Sequence, residues 1–266
     1  MSTSLACLYA LTQKAVDEQV FGDGVKPLVH IFDESYHKIP VQRLIRKICR
    51  TGGKGDVCMV GVQTNQYARA RDLSLEFRKY HIPTIIGGFH VSGCLQMLPE
   101  IPPEIRRAID YGVTIVAGEV ENRWSDLLRA AYKDRLEPIY NFVDDPPDLA
   151  GVRGPYMPKT VTDGFLNRYT SFDAGRGCPF RCSFCTIVNV QGHKMRARTA
   201  DDIENLVRKQ YPSGIDHIFI TDDNFSRNPN WGSIADRLIG MKEKHKMRLS
   251  LMIQADTATH KDPTVY

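Results

Sequence analysis

Short apolar runs alternate with amphipathic segments along most of this 266-residue chain. In the first half, the runs at 57–62, 83–87 and 113–117 are continuously apolar and rich in strand-forming residues. Such runs are typical of strands that are buried on both faces of a parallel sheet. Helical spacing of apolar residues over 66–80 and 122–133 follows two of these runs. The pattern predicts an α/β fold, with a doubly wound parallel sheet covered by helices on both faces.

The same alternation extends on either side of this region. Residues 27–32 predict a further strand, and residues 40–50 predict a helix with one apolar face. After residue 168 the pattern resumes, with strands predicted at 169–174, 217–221 and 248–254, and helices predicted to begin after Thr199 and Asn228.

A linker is predicted between two domains. Residues 142–168 contain Asp, Pro and Gly with little periodicity, which is typical of a connecting segment. The sequence therefore predicts a Rossmann-like domain at 1–141 and a second domain at 169–266.

Composition excludes several classes of protein. Lys and Arg number 35 against 31 Asp and Glu, so the net charge of +4 is too small to indicate a nucleic-acid partner. No stretch approaches the roughly 20 apolar residues of a membrane span. The apolar run at 5–11 has no preceding Lys or Arg and resembles a signal peptide poorly. We therefore expect a cytoplasmic protein without a membrane partner, and structural disulfides are rare in that compartment.

Three of the seven cysteines fall within eight residues, at Cys178, Cys182 and Cys185. Thiolates are ligands that suit iron–sulfur clusters or zinc. Three ligands would leave the fourth iron of a [4Fe–4S] cluster open to a substrate or cofactor. Structural zinc takes four protein ligands, and His193 could supply the fourth. Buried cysteines without a ligand are the third interpretation, and the sequence favours the cluster.

This loop resembles the signature of the radical SAM superfamily, CxxxCxxC with an aromatic residue before the third cysteine, here Phe184. The stretch FDAGRGCPFRCSFCTI is similar to members that carry an N-terminal cobalamin-binding domain. The resemblance implies that the three cysteines hold a [4Fe–4S] cluster and that S-adenosylmethionine binds its open iron. It also implies that one electron, from a donor such as flavodoxin or ferredoxin, cleaves this cofactor to methionine and a 5′-deoxyadenosyl radical.

The loop after the second strand of this domain supplies further candidate residues. In the superfamily this loop contacts the methionyl amino group, usually through a Gly-Gly-Glu motif. Here it contains Asp222 and Asp223, either of which could face the ammonium group as a carboxylate, with Asp223 preferred. A solvated turn is the alternative. Gln254 and Asp256 follow the third strand and point toward the same end of the sheet.

Loops after the strands of the first domain resemble a cobalamin-binding domain, with a Gly-Gly-x-His turn and a Gly-Glu-x-Glu sequence. Ligands of open α/β sheets bind at the carboxyl ends of the strands. His90 is interpreted as lining the pocket rather than ligating cobalt, because a glycine stands where an aspartate would orient it. The candidate cobalamin-binding residues are Gln63, Thr64, Gly87, Gly88, His90, Gly118 and Glu119.

The resemblance implies a cobalamin-dependent methyltransferase that acts on a small molecule or a peptide. Two alternatives stay open: a radical enzyme without cobalamin that catalyses rearrangement, cyclisation or methylthiolation, and a cobalamin-binding module with an inactive barrel. The superfamily barrel has six βα units, whereas residues 169–266 hold about three. We therefore expect a fragment with half of a (β/α)6 barrel and an exposed sheet edge, which would be unstable or self-associate.

Overall fold

The computed structural model describes residues 2–35, 38–50, 52, 54–156 and 168–261. Leu11–Pro147 forms one compact unit, called here the N-terminal unit. Asp148–Tyr266 together with Met1–Ala10 forms the other, called the C-terminal unit. Within the described ranges, no helix is long and apolar enough to cross a membrane.

A four-stranded parallel sheet forms the centre of the N-terminal unit, and its neighbouring strands follow chain order. The strands are β1 (Val57–Met59), β2 (Thr84–Gly87), β3 (Val113–Ala117) and β4 (Ile139–Asn141). The helices of this part of the chain are α1 (Thr3–Asp17), α2 (Val41–Arg50), α3 (Thr64–Arg78), α4 (Phe89–Met97), α5 (Pro103–Asp110) and α6 (Trp124–Tyr132).

The apolar runs that predicted strands form the core of this unit. All five residues of β3 are buried, and Ile115 pairs with Ile86 of β2. Ile86 and Ile115 pack with Val91 and Ile105 from the flanking helices, all of them fully buried. The parallel sheet and the predicted strands at 83–87 and 113–117 are therefore confirmed.

Two predictions for this unit are wrong. Residues 27–32 form no strand, and Leu28 is 70% exposed, so this segment adds nothing to the sheet. A doubly wound sheet needs a strand on the far side of β1, and the described sheet instead follows chain order without reversal. Strand β4 was not predicted, because its three residues, Ile139–Asn141, are too few to give a periodic signal.

The C-terminal unit contains a second parallel sheet, of three strands in chain order. Its strands are β5 (Tyr169–Phe172), β8 (His217–Ile220) and β9 (Ser250–Met252), and β6 (Gly175–Arg176) pairs antiparallel with β7 (Arg196–Ala197) in a separate ribbon. The helices are α7 (Thr186–Gln191), α8 (Ala200–Gln210) and α9 (Trp231–Glu243). The core lies between this sheet and helices α8 and α9.

The ends of these elements follow from local hydrogen bonds. The predicted capping box of α8 is confirmed, since Thr199 Oγ1 accepts from the Asp202 N–H at 3.1 Å and the Asp202 carboxylate accepts from the Thr199 N–H at 2.9 Å. Helix α9 begins at Trp231 rather than directly after Asn228, whose Oδ1 accepts from the Asn230 N–H at 2.9 Å in the turn before the helix. Residues 142–156 contain no helix or strand, whereas 157–167 of the predicted linker lie outside the described residues.

The carboxyl end of β2 generates a prediction about Gly88. Its φ of +140° is rare for residues with a side chain, and a Cβ there would overlap the backbone nitrogen of Val62. We expect Gly88→Ala to lower the free energy of unfolding by about 3 kcal/mol or more. Gly22→Ala is the matched control, with φ +101° but open space around it, and should cost only about 1–2 kcal/mol. Urea unfolding followed by circular dichroism measures both; equal losses would contradict the packing argument.

Candidate functional site

A closed loop carries the three clustered cysteines at the carboxyl end of β5. The ribbon of β6 and β7 joins the two ends of this loop, with Gly175 opposite Ala197. Inside it, the Cys178 N–H donates to the Gly192 carbonyl at 3.2 Å, and the Cys185 N–H donates to the Cys182 carbonyl at 3.1 Å. These two hydrogen bonds hold the loop backbone at all three cysteines.

The chemistry of these thiols fits an iron–sulfur cluster. None of the seven cysteines, all of them among the described residues, forms a disulfide; Cys182 is exposed, while Cys178 and Cys185 are half-buried. No three His, Cys, Asp or Glu side chains among the described residues converge on a point where a single metal ion could sit. A four-iron cluster binds each thiolate at a different iron atom, so its ligands need not converge.

The surroundings of the loop agree with that reading. His193, the candidate fourth zinc ligand, places Nδ1 3.0 Å from the Phe180 carbonyl oxygen. Phe184 is 87% exposed, an unusual state for a large aromatic side chain beside two thiols. This exposed ring is available to cover a cofactor bound at the loop.

A buried ion cluster, not predicted from the sequence, holds the strand from which the loop departs. Arg198 is 1% exposed and donates to the carboxylate of Asp173 at 3.1 Å, to its carbonyl at 3.0 Å and to the Val152 carbonyl at 3.0 Å. Arg176 donates to the same carboxylate at 3.2 Å. Burial raises the pKa of Asp173, but the two guanidinium groups outweigh it and leave that pKa below its usual value. A single arginine in a sequence predicts an exposed side chain, so the sequence pattern gave no sign of this buried cluster.

Asp222 lies inside the protein rather than facing a ligand. It is 1% exposed; its Oδ1 accepts from the Ala174 and Gly175 N–H groups at 2.7 and 2.8 Å, and its Oδ2 accepts from Asn228 at 2.9 Å. Burial raises the pKa of Asp222 to about 6, although these hydrogen bonds oppose the change. Its carboxylate therefore holds together the exits of β5 and β8.

Asp223 is placed differently from its neighbour. Its side chain is exposed, and partial loss of hydration raises its pKa. Asp256 does not join it: Arg227 holds Asp256 in two hydrogen bonds of 2.8 and 3.1 Å and keeps the pKa of that carboxyl well below its usual range. Of Asp222 and Asp223, only Asp223 thus has a carboxylate that is accessible to a ligand.

In the N-terminal unit, two predicted residues lie close together: Thr64, after β1, and His90, after β2. The Gln63 N–H donates to Gln66 Oε1 at 3.1 Å at the start of α3. His90 Nδ1 lies 3.4 Å from Thr64 Oγ1, and the His90 ring stacks 4.3 Å from the ring of Tyr67. Burial lowers the pKa of His90. Its ring packs against α3, which agrees with a lining role.

Gly88 and Gly118 are required by the backbone that packs against them. A Cβ at Gly118 would lie 2.6 Å from the Phe142 carbonyl carbon, and one at Gly88 would overlap the Val62 nitrogen, whereas one at Gly87 would lie 3.3 Å from the Val116 carbonyl oxygen of β3. Ser92, buried and not predicted, connects the loops: its hydroxyl donates to the Gly88 carbonyl at 2.8 Å and accepts from the Gly118 N–H at 2.9 Å. Glu119 is half-buried beside this junction.

Comparison with known proteins agrees with the cysteine loop. Residues 173–259, which contain all three clustered cysteines and the loops after β8 and β9, match the radical SAM superfamily. The chain contains a radical SAM domain. Proteins of this superfamily use a [4Fe–4S] cluster and S-adenosylmethionine, and the donor set of the loop fits both. The predicted cofactors of this domain are therefore confirmed.

Several relatives of the chain are named as methyltransferases. Bacteriochlorophyllide d C-8(2)-methyltransferase of Chlorobaculum tepidum is 29% identical over 198 residues, which is 71% of this chain and 40% of that protein. The radical S-adenosylmethionine methyltransferase TsrM of Kitasatospora setae, solved with tryptophan substrate and aza-SAM, has a similar fold. Its TM-score is 0.66 at 14% identity, over 94% of this chain and 51% of that one.

A second structure of TsrM, with cobalamin and a [4Fe–4S] cluster bound, gives a TM-score of 0.64 at 14% identity over 92% of this chain and 52% of that one. The chain thus spans only about half the length of TsrM, and less of the bacteriochlorophyllide enzyme.

The burial of Asp222 predicts a pH dependence. Its folded-state pKa of about 6 exceeds its ordinary value of 3.8, so it favours folding fully below about pH 4 and loses that contribution as the pH rises through 6. Between pH 4 and 7, the free energy of unfolding should fall by up to about 3 kcal/mol more in the wild type than in Asp222→Asn. Urea unfolding at both pH values measures this difference, and parallel curves for the two proteins would contradict it.

Proposed function

We propose that this chain provides the cofactor-binding part of a cobalamin-dependent radical SAM methyltransferase. One observation carries the proposal: three free thiols lie on a preformed loop at the carboxyl end of the first strand of a parallel sheet, inside the segment that matches the superfamily. The names of relatives such as bacteriochlorophyllide d C-8(2)-methyltransferase and TsrM support methyl transfer as the reaction class.

Five residues of the C-terminal unit bind or cover the cofactors in this proposal. Cys178, Cys182 and Cys185 bind three irons as thiolates, and the fourth iron is left for S-adenosylmethionine. When bound, cluster and cofactor together supply one-electron cleavage of the sulfonium. Asp223 holds the cofactor's ammonium group through its exposed carboxylate, and Phe184 excludes water from the bound sulfonium.

Cobalamin is proposed for the N-terminal unit. The similar fold of TsrM, whose structure contains cobalamin, supports this assignment, as does the position of the candidate loops at the carboxyl ends of parallel strands. Gln63, Thr64 and Gly118 would line the site with backbone and polar side chains. His90 is not proposed as a cobalt ligand, because its ring lies against Thr64 and Tyr67.

The substrate is proposed to be a small molecule or a peptide, and the electron is proposed to come from a flavodoxin or ferredoxin in the cytoplasm. The named relatives act on different molecules, so they set the chemistry of methyl transfer rather than one substrate.

Anaerobic reconstitution with iron and sulfide tests the cluster. We expect about four irons per chain, and less than about one in a variant with Cys178, Cys182 and Cys185 changed to Ala. Cys49→Ala is the matched control, since Cys49 is also a free thiol but lies outside the loop. The control should load iron like the wild type. Equal iron in the triple variant would contradict the proposed ligands.

Cobalamin binding is tested separately by incubation with hydroxocobalamin and desalting. If the chain binds cobalamin, we expect about one equivalent of hydroxocobalamin to remain with it after desalting, detected by visible absorption. A loaded cluster without retained cobalamin would instead favour a radical enzyme that catalyses rearrangement, cyclisation or methylthiolation. Retained cobalamin without a cluster would favour a binding module with an inactive barrel.

A further inference from the structure

In the loop after β8, residues 222–224 alternate between buried and exposed side chains. Asp222 and Asn224 are 1% and 3% exposed, whereas Asp223 between them is exposed. The two buried polar side chains, Asp222 and Asn224, each need hydrogen-bond partners inside the protein. Those partners identify what the loop is fixed to.

The first buried side chain fixes the loop to the origin of the cysteine loop. Asp222 Oδ1 accepts from the N–H groups of Ala174 and Gly175, where the chain leaves β5 toward Cys178. In the other direction, the Thr221 N–H donates to the Phe172 carbonyl at 2.9 Å. The exits of β5 and β8 are therefore joined through one carboxylate.

The second buried side chain fixes the loop to the exit of β9. Asn224 Nδ2 donates to Asp256 at 2.9 Å, and Asn224 Oδ1 accepts from the Asp256 N–H at 3.2 Å. The Phe225 N–H donates to the Gln254 carbonyl at 2.8 Å. With both neighbours held, the backbone of Asp223 has little freedom to turn its side chain inward.

We propose that Asp222 is a positioning residue that fixes both the origin of the cysteine loop and the outward orientation of Asp223, so that the cluster site and the S-adenosylmethionine site share one buried carboxylate. This inference rests on the proposed function, in which Asp223 binds the ammonium group of S-adenosylmethionine. Asp222 itself touches no cofactor. Its effect on the cofactor is geometric, through the hydrogen bonds of Ala174 and Gly175.

The test compares variants of the full chain after anaerobic reconstitution. Asp222→Ala removes the acceptor, whereas Asp222→Asn keeps an oxygen for the two N–H groups but removes the charge and the oxygen that accepts from Asn228. Asp216→Ala is the matched control: Asp216 is a buried carboxylate at the opposite end of β8, bonded to Arg168 at 3.0 Å and to His217 at 2.6 Å. For each protein we measure iron content, affinity for S-adenosylmethionine, and the change that this cofactor causes in the EPR spectrum of the reduced cluster.

We expect Asp222→Ala to keep its iron but bind S-adenosylmethionine at least about tenfold more weakly, with loss of the spectral change. Asp222→Asn and Asp216→Ala should both keep the affinity and the spectral change. Equal weakening by Asp216→Ala would reduce the effect to general destabilisation and overturn the inference. Loss of the spectral change in Asp222→Asn would overturn it too, since an oxygen that accepts from the Ala174 and Gly175 N–H groups would then not be enough to position the site.

If Asp222→Ala does not fold, Asp222→Asn and Asp223→Asn still decide the question. The inference expects the first to bind the cofactor and the second to lose it, both with iron, and the reverse order would overturn it. A wild-type chain that loads its cluster but shows no response to S-adenosylmethionine would refute the proposed function instead.

Discussion

The buried carboxylate of Asp222 is the interaction on which the architecture of the candidate site depends. Parallel strands bring their carboxyl ends to one edge of a sheet, but the loops that follow them need their own restraints. Asp222 supplies one restraint by accepting two N–H groups from the exit of β5 and an amide from Asn228. Burial raises the pKa of Asp222 to about 6. At neutral pH the carboxylate is therefore charged, and its burial lowers the free energy of unfolding.

A second buried group complements it from the other side of the cysteine loop. Arg198 bonds the carbonyl and the carboxylate of Asp173, while the ribbon of β6 and β7 closes the loop. Because the base of the loop is held by buried charges, the thiols at its tip can stay accessible. An accessible thiol set on a rigid base is what a cluster that exchanges a cofactor requires.

Much of this could be predicted from the sequence, and the reasons are physical. The apolar runs of β2 and β3 and the capping box at Thr199 depend on neighbours close in sequence, so their patterns are readable. The spacing of Cys178, Cys182 and Cys185 likewise encodes one compact loop. The missing strand at 27–32 and the different tasks of Asp222 and Asp223 depend on contacts distant in sequence. Nothing in the pair Asp222-Asp223 says which side chain turns inward.

Mössbauer spectroscopy of the chain reconstituted with ⁵⁷Fe tests the central claim most directly, because it reports each iron of the cluster separately. The account predicts a [4Fe–4S] spectrum in which about one iron in four changes its isomer shift on addition of S-adenosylmethionine, while the three irons held by cysteine do not. A cluster whose spectrum is unchanged by S-adenosylmethionine, or a folded chain that binds no cluster, would contradict the account.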